Sequence, residues 1–183
     1  MSAAWRPAAL ELLRGARTGW APVDLARWLV GPYSQATSHV ARDAELGLDE
    51  GEKVPVDLGR VSEVLATTHV EVLASLESLR ARGSVEFVME AMESGAIVPS
   101  LDGVWLPLDK PRMRLRERVL SLFAADYLLQ PHDYASELGI CSKCRAVVFE
   151  AGAHRTGLCQ AHRVRVLLGV LGPQASPLLR HSA

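Results

Sequence analysis

The feature that most constrains this chain is the placement of its three cysteines. Cys141 and Cys144 form a pair with two residues between them, and Cys159 and His162 repeat that spacing after fourteen further residues. Two such pairs allow two short backbone turns each to present two ligands to one ion. The spacing therefore predicts a tetrahedral zinc site whose ligands are Cys141, Cys144, Cys159 and His162.

The residues around the two pairs predict the local structure. A tight knuckle at the first pair runs into a strand-like segment at 145–149, and a turn-rich segment at 152–157 would close a hairpin. The second pair opens an apolar segment at 163–171 that suits a helix, and Gly172 with Pro173 supplies a stop signal.

This order of knuckle, hairpin and ligand-bearing helix resembles the treble-clef class of zinc fingers. The ending Gly157-Leu-Cys159-Gln-Ala-His162 is similar to that of many small bacterial and phage treble-clef modules. The resemblance covers roughly residues 139–172 and implies the same four ligands. Four protein ligands leave no open position, so the zinc is expected to be structural, in a segment too small to fold on an apolar core alone.

Composition favours an ordinary globular protein of one domain or two small ones. The 183 residues are 49% hydrophobic and 22% charged. No apolar run approaches the length of a membrane span, and the N-terminus lacks the pattern of a signal peptide. Because all the cysteines are assigned to zinc, none remains for disulfides, and a cytoplasmic location is expected.

The charge divides the chain into two unlike parts. Residues 1–109 carry 9 basic and 16 acidic side chains, a net charge of −7, whereas residues 110–183 carry 11 and 5, a net charge of +6. We predict a helical domain at 1–109, a connecting helix within 110–138, a zinc finger at 139–172 and a tail at 173–183.

Apolar spacing predicts a mainly helical first part with a small β component. A Gly- and acid-rich stretch at 47–55 is expected to form an exposed loop, and Gly83 to cap the last helix of the acidic part. Helices are predicted at 3–17, 22–30, 34–46, 56–65, 68–82 and 112–129, and strands at 85–89 and 104–108.

The order of helix, turn, helix and two-stranded hairpin resembles that of bacterial winged-helix regulators. The run Leu65-Ala-Thr-Thr-His-Val70, followed by apolar residues and Gly83, carries the resemblance. It implies a reading helix at 68–82 that would enter the DNA major groove. The fragment Pro-Val-Asp-Leu occurs at 22–25 and again at 55–58, so both two tandem units and chance similarity stay open.

The charges shift the predicted nucleic-acid contact away from that helix, which has no basic residue before Arg80. The sequence favours a zinc-containing transcriptional regulator that binds DNA chiefly through its basic C-terminal half. The residues predicted to contact nucleic acid are Arg112, Arg114, Arg116, Arg118, Lys143, Arg145, Arg163 and Arg165.

The alternative is a non-catalytic adaptor stabilised by structural zinc, with another protein or a second copy as partner. One contiguous basic patch would favour nucleic acid, whereas scattered arginines and an exposed apolar patch would favour protein. No phosphate loop, serine-hydrolase elbow or zinc-protease motif occurs, so no enzyme activity, small-molecule substrate or membrane partner is indicated. His154 is a less favoured zinc ligand or nuclease-like histidine.

Overall fold

The computed structural model describes residues 4–37, 60–110 and 112–171, and these form a mainly helical fold with two small antiparallel sheets. The helices are Trp5–Thr18 (α1), Pro22–Trp28 (α2), Val61–Arg82 (α3), Glu86–Glu93 (α4), Leu115–Leu129 (α5), Pro131–Ser136 (α6), Ala153–Thr156 (α7) and Gln160–Leu171 (α8). The strands are Ile97–Pro99 (β1), Trp105–Pro107 (β2), Leu138–Ile140 (β3) and Val147–Phe149 (β4).

The first two helices form where they were predicted, but the predicted break between the helices at 22–30 and 34–46 is wrong. A π-helical turn at Leu29–Tyr33 contains Pro32 and leads into helical residues 34–37. Trp28 fixes this arrangement, because its Nε1 donates a 2.8 Å hydrogen bond to the carbonyl of Ala8 in α1. The rest of the helix predicted at 34–46 and the loop predicted at 47–55 lie outside the described residues.

Helix α3 is one continuous helix, so the predicted turn between helices at 56–65 and 68–82 is wrong. Its buried residues, which include Leu65, Thr68 and Val72, follow one face through the expected break. The left-handed Gly83, at φ 67°, ends the helix as predicted. Residues 56–59 lie outside the described part of the chain.

The strand predicted at 85–89 is wrong, because Glu86–Glu93 is the helix α4. Phe87, Val88 and Ala91 lie on its buried face, a spacing that a helix satisfies and an alternating strand does not. The strand that pairs with β2 is β1, in the register Ile97 to Pro107. Only the second strand of the predicted hairpin forms as expected, with β2 inside the predicted 104–108, and its partner β1 was not predicted.

Helix α5 lies at the centre of the core rather than only connecting two halves. It contacts α1, α3, α4, α6 and both strands of the first hairpin. Ten of its residues are buried, on all its sides, as expected for a helix surrounded by other elements. The helix begins at Leu115, so Arg112 and Arg114 precede it.

One buried cluster extends from α1 to the second hairpin. It includes Trp5 and Leu12 of α1, Phe123 of α5 and Leu138 of β3, and Phe149 packs against it. The core thus crosses the predicted limits near residues 109 and 138, while the domain limits themselves stay a prediction. The predicted tail at 173–183 lies outside the described residues.

Candidate metal centre

The structure brings the four predicted ligands together in one cluster. Their ligand atoms all lie within 4.8 Å of one another. The Nδ1 of His162 is 3.2 Å from the Sγ of Cys159 and 3.5 Å from that of Cys141, and the Sγ atoms of Cys144 and Cys159 are 4.0 Å apart. Two segments separated by β4 and α7 therefore converge on one point.

These separations fit a tetrahedral ion. Zinc bound at about 2.3 Å by sulfur and about 2.0 Å by nitrogen places neighbouring ligand atoms about 3.5–3.8 Å apart. The observed distances of 3.2–4.0 Å lie on both sides of that range. Three thiols and an imidazole are also the soft and borderline donors that zinc prefers. The cluster can therefore hold a metal ion.

The first cysteine pair lies on a knuckle between β3 and β4. The amide of Cys141 donates to the carbonyl of Ala146 at 2.9 Å, and the amide of Arg145 donates to the carbonyl of Cys141 at 2.7 Å. This turn requires a left-handed residue, and Arg145 fills that position at φ 57°. The sequence predicted the knuckle here, but not that an arginine would occupy this conformation.

Backbone donors polarise the thiol of Cys141. Burial raises its pKa, but hydrogen bonds from the backbone at Cys159, Cys144 and Lys143 outweigh burial and lower the pKa to about 6. Burial has the larger effect at Cys144, whose pKa is raised. A thiolate at Cys141 is the form that binds a metal ion.

The second pair opens helix α8, and Glu150 and Arg163 fasten that helix to the hairpin. The Oε2 of Glu150 accepts a 2.8 Å hydrogen bond from the amide of Gln160 and a 2.8 Å ion pair from Arg163. Arg163 also donates to the carbonyl of Ala151 at 2.6 Å. The start of α8 is thus fixed by these polar contacts, with Cys159 just before the helix and His162 on its first turn.

Helix α7 packs closely on β3. A Cβ atom at Gly139 would lie 2.6 Å from the Cβ of Ala153, closer than side chains approach. His154 lies next to this contact, where its Nδ1 is 3.3 Å from the carbonyl oxygen of Leu138. His154 lies outside the ligand cluster and instead joins α7 to β3.

Most of the arginines predicted to contact nucleic acid have acidic partners within the protein. Arg118 is only 1% exposed, and it pairs with Asp109 and with the hydroxyl of Tyr33, so its side chain does not face solvent. Four more ion pairs involve exposed or half-buried arginines, namely Arg114 with Glu117, Arg116 with Glu90, Arg145 with Glu77 and Arg163 with Glu150.

The other predicted contacts are spread over the surface. Lys143 and Arg165 are exposed, and so is Arg112, which also makes contacts within the protein. The structure therefore places the predicted residues on several elements, and it joins five of them to acidic side chains.

An exposed apolar surface on α8 was not predicted. Val164, Val166, Leu167 and Leu168 are between 47% and 63% exposed, and they follow one another along a helix held at its first turn. The sequence already indicated this surface, because residues 164–171 are apolar at nearly every position. A helix of this kind normally packs against another surface. We name Val164, Val166, Leu167 and Leu168 the α8 surface.

No protein-family model, curated protein or solved structure matches the chain. Over residues 4–37, 60–110 and 112–171, the structure contains no helix with the length and apolar character needed to cross a membrane.

Proposed function

We propose that this protein is a non-catalytic interaction module in which a structural zinc ion holds α8 in place for a protein partner. The observation that carries the proposal is the α8 surface, with four large apolar side chains exposed within five residues. Val164, Leu167 and Leu168, at positions i, i+3 and i+4, share one face of the helix. Grouped exposed apolar side chains mark interaction sites, whereas single exposed apolar residues need no explanation.

The metal in this proposal is zinc, and its role is structural. Bound together, Cys141, Cys144, Cys159 and His162 would fill all four positions of a tetrahedral zinc ion and leave none for a substrate or a reactive water. Bound zinc would join the knuckle to the first turn of α8, so that the exposed half of the helix projects at a fixed angle. Zinc release would remove that constraint on α8.

The proposed partner carries an apolar groove flanked by acidic side chains. Within Gln160–Leu171 there is no acidic residue, and Arg165 is exposed beside the apolar side chains. A helix whose apolar side chains enter a groove is a recurrent mode of protein recognition, and a basic rim favours an acidic surface around it.

Site-specific photo-crosslinking tests this proposal. A photoreactive residue at position 167, in the organism's own cells, is expected to form a discrete adduct with another protein. The matched control is position 70, because Val70 is an equally exposed apolar residue on α3. The adduct should disappear with Cys144→Ser and weaken with Arg165→Glu, whereas Arg82→Glu on α3 should leave it unchanged.

Other outcomes would contradict the proposed partner. Equal adducts at positions 167 and 70 would mean that α8 is not a preferred contact. An adduct of twice the chain mass would identify a second copy instead, and an adduct removed by nuclease would identify nucleic acid.

Nucleic-acid binding in transcriptional regulation is the second candidate. It is supported by exposed Lys143, Arg155 and Arg165 on the proposed zinc-bound segment, and by a shallow cleft that Arg80 and Arg155 line together. Random duplex DNA at low and moderate salt distinguishes the two candidates. Affinity that falls steeply with salt and is lost on replacing these residues would favour nucleic acid, whereas no binding at low salt would exclude this candidate.

A further inference from the structure

A second site on the molecule is a cleft of about 470 Å³ between α1, α3 and the start of β4. Arg14 and Arg17 line it from α1, His69 from α3 and Arg145 from the knuckle, and Glu11 is its acidic lining residue. Its volume lies within the range of small-molecule sites, about 300–1,000 Å³. Three arginines and a histidine from three elements therefore face one concave space.

The two arginines of α1 supply cationic groups that the described fold does not use. Arg14 and Arg17 are three residues apart, so they project from one face of the helix. Across the described residues, no acidic side chain lies within ion-pair distance of either one. The dipole of α1 favours a basic residue in its last turn, which accounts for Arg17. It does not account for the position of Arg14 and Arg145 in the lining of one cleft.

Arg145 occupies a position where glycine would cost less. Its φ of 57° is unfavourable for a residue with a side chain, and such strained conformations cluster at functional sites. Its guanidinium pairs with Glu77 at 2.7 Å, and both side chains are about half exposed. An anion entering the cleft can therefore replace Glu77 as the partner of Arg145.

We infer that this cleft binds the phosphate group of a small organic anion. Guanidinium groups match phosphate oxygens with paired hydrogen bonds, so Arg14, Arg17 and Arg145 would hold that group. Leu10, Leu13 and Val148 line the same cleft and would contact the uncharged part of the ligand. This site is separate from the α8 surface, so its failure would leave the proposed docking function intact.

His69 supplies a readout for an anion in the cleft. Burial lowers its pKa, and the positive charges of Arg145 and Arg17 lower it further. A phosphate next to these groups would oppose that field and raise the pKa of His69. Glu11 of α1 carries the same negative charge as the ligand, so it would not contribute to binding an anion.

The probe is inorganic pyrophosphate, titrated into the zinc-loaded full chain at constant ionic strength. We expect saturable binding, measured by calorimetry, and a rise in the pKa of His69, measured by NMR. Arg14→Gln combined with Arg17→Gln should weaken binding about tenfold or more, because each removes charge-assisted hydrogen bonds. Glu77→Gln should strengthen binding by freeing Arg145.

The matched control is Arg27→Gln combined with Arg82→Gln, which removes the same charge from exposed positions outside the cleft. These variants should bind pyrophosphate as the unmodified chain does. The inference is overturned if pyrophosphate does not bind at about 10 mM, since affinity would then be weaker than any small-molecule site. It is also overturned if both double variants lose affinity equally, or if only duplex DNA binds.

Discussion

At Gly139 the backbone of β3 approaches α7 so closely that no side chain fits. The space for a Cβ atom is taken by the side chain and the backbone of Ala153, at 2.6 Å and 2.9 Å. Because α7 lies between β4 and the second ligand pair, this contact helps to set the position of Cys159 relative to the knuckle. Glycine at 139 is therefore a packing requirement rather than a turn requirement.

We predict that Gly139→Ala lowers the free energy of unfolding by about 1–3 kcal/mol, the usual cost of overpacking. Urea denaturation of the zinc-loaded protein measures it. The matched control is Gly31→Ala, because a Cβ atom at Gly31 meets nothing within 4 Å and its φ is not positive. If both substitutions leave the unfolding free energy unchanged, the close approach of α7 to β3 is wrong.

The sequence predicted which residues lie together where metal coordination fixes the spacing of the ligands. The four candidate ligands follow from two short turns that must each present two donors, and the structure brings all four together. The arginines were harder to place, because charge alone does not reveal a partner. Arg118 was predicted to contact nucleic acid, yet its side chain is buried and pairs with Asp109 and Tyr33.

Among the helices and strands, the largest difference from prediction concerns α3. Thr67, Thr68 and His69 are weak helix formers and favoured a break in the middle of the segment. The buried face of α3 continues through them, from Leu65 to Val72, and burial of this face outweighs the small differences in helix propensity. The winged-helix resemblance depended on that break.

A proline at residue 66 tests the continuity of α3. In the middle of a helix, Ala66→Pro removes a backbone hydrogen bond and collides with the preceding turn, which costs about 3 kcal/mol or more. A turn between two helices would tolerate it. Ala66 is exposed, so Ala66→Ser serves as the control without disturbing the core. Thermal unfolding with an unchanged melting temperature for Ala66→Pro would mean that the chain turns here.

The segment at 86–93 shows why short apolar runs are ambiguous. Phe87 and Val88 are strong strand formers, but β2 already pairs with β1. Packing of Phe87 and Val88 against α5 then favours the helix. The strand propensity of this segment could be recognised in the sequence. The choice of the strand that pairs with β2 depends on tertiary contacts, which local propensity does not describe.

Across the whole molecule, Arg6 joins the acidic part of the chain to the proposed zinc-bound part. Its guanidinium pairs with Asp126 of α5 at 2.7 Å and with Asp133 of α6 at 2.8 Å, and it lies 4.2 Å from the ring centroid of Phe149 in β4. Asp126 is buried, so this ion pair depends on both partners. The charge division of the sequence did not reveal such a contact between its two halves.

The apolar core and the metal centre stabilise different elements of the fold. The β3–β4 hairpin packs on the core through Leu138 and Phe149, whereas the exposed half of α8 has no comparable apolar contact in the described part of the chain. Loss of the metal should therefore release α8 first, with the rest of the molecule keeping its helical core. Under the proposed function, presentation of the α8 surface would therefore depend on the metal.

The most direct test measures zinc content together with amide hydrogen exchange in Gln160–Leu171, for the unmodified chain and for Cys144→Ser. The proposal predicts one zinc ion per chain and slow exchange in α8, with both lost in Cys144→Ser while α1 and α5 stay protected. Full zinc content in Cys144→Ser, or slow exchange in α8 without zinc, would contradict the claim that a structural zinc ion holds this helix.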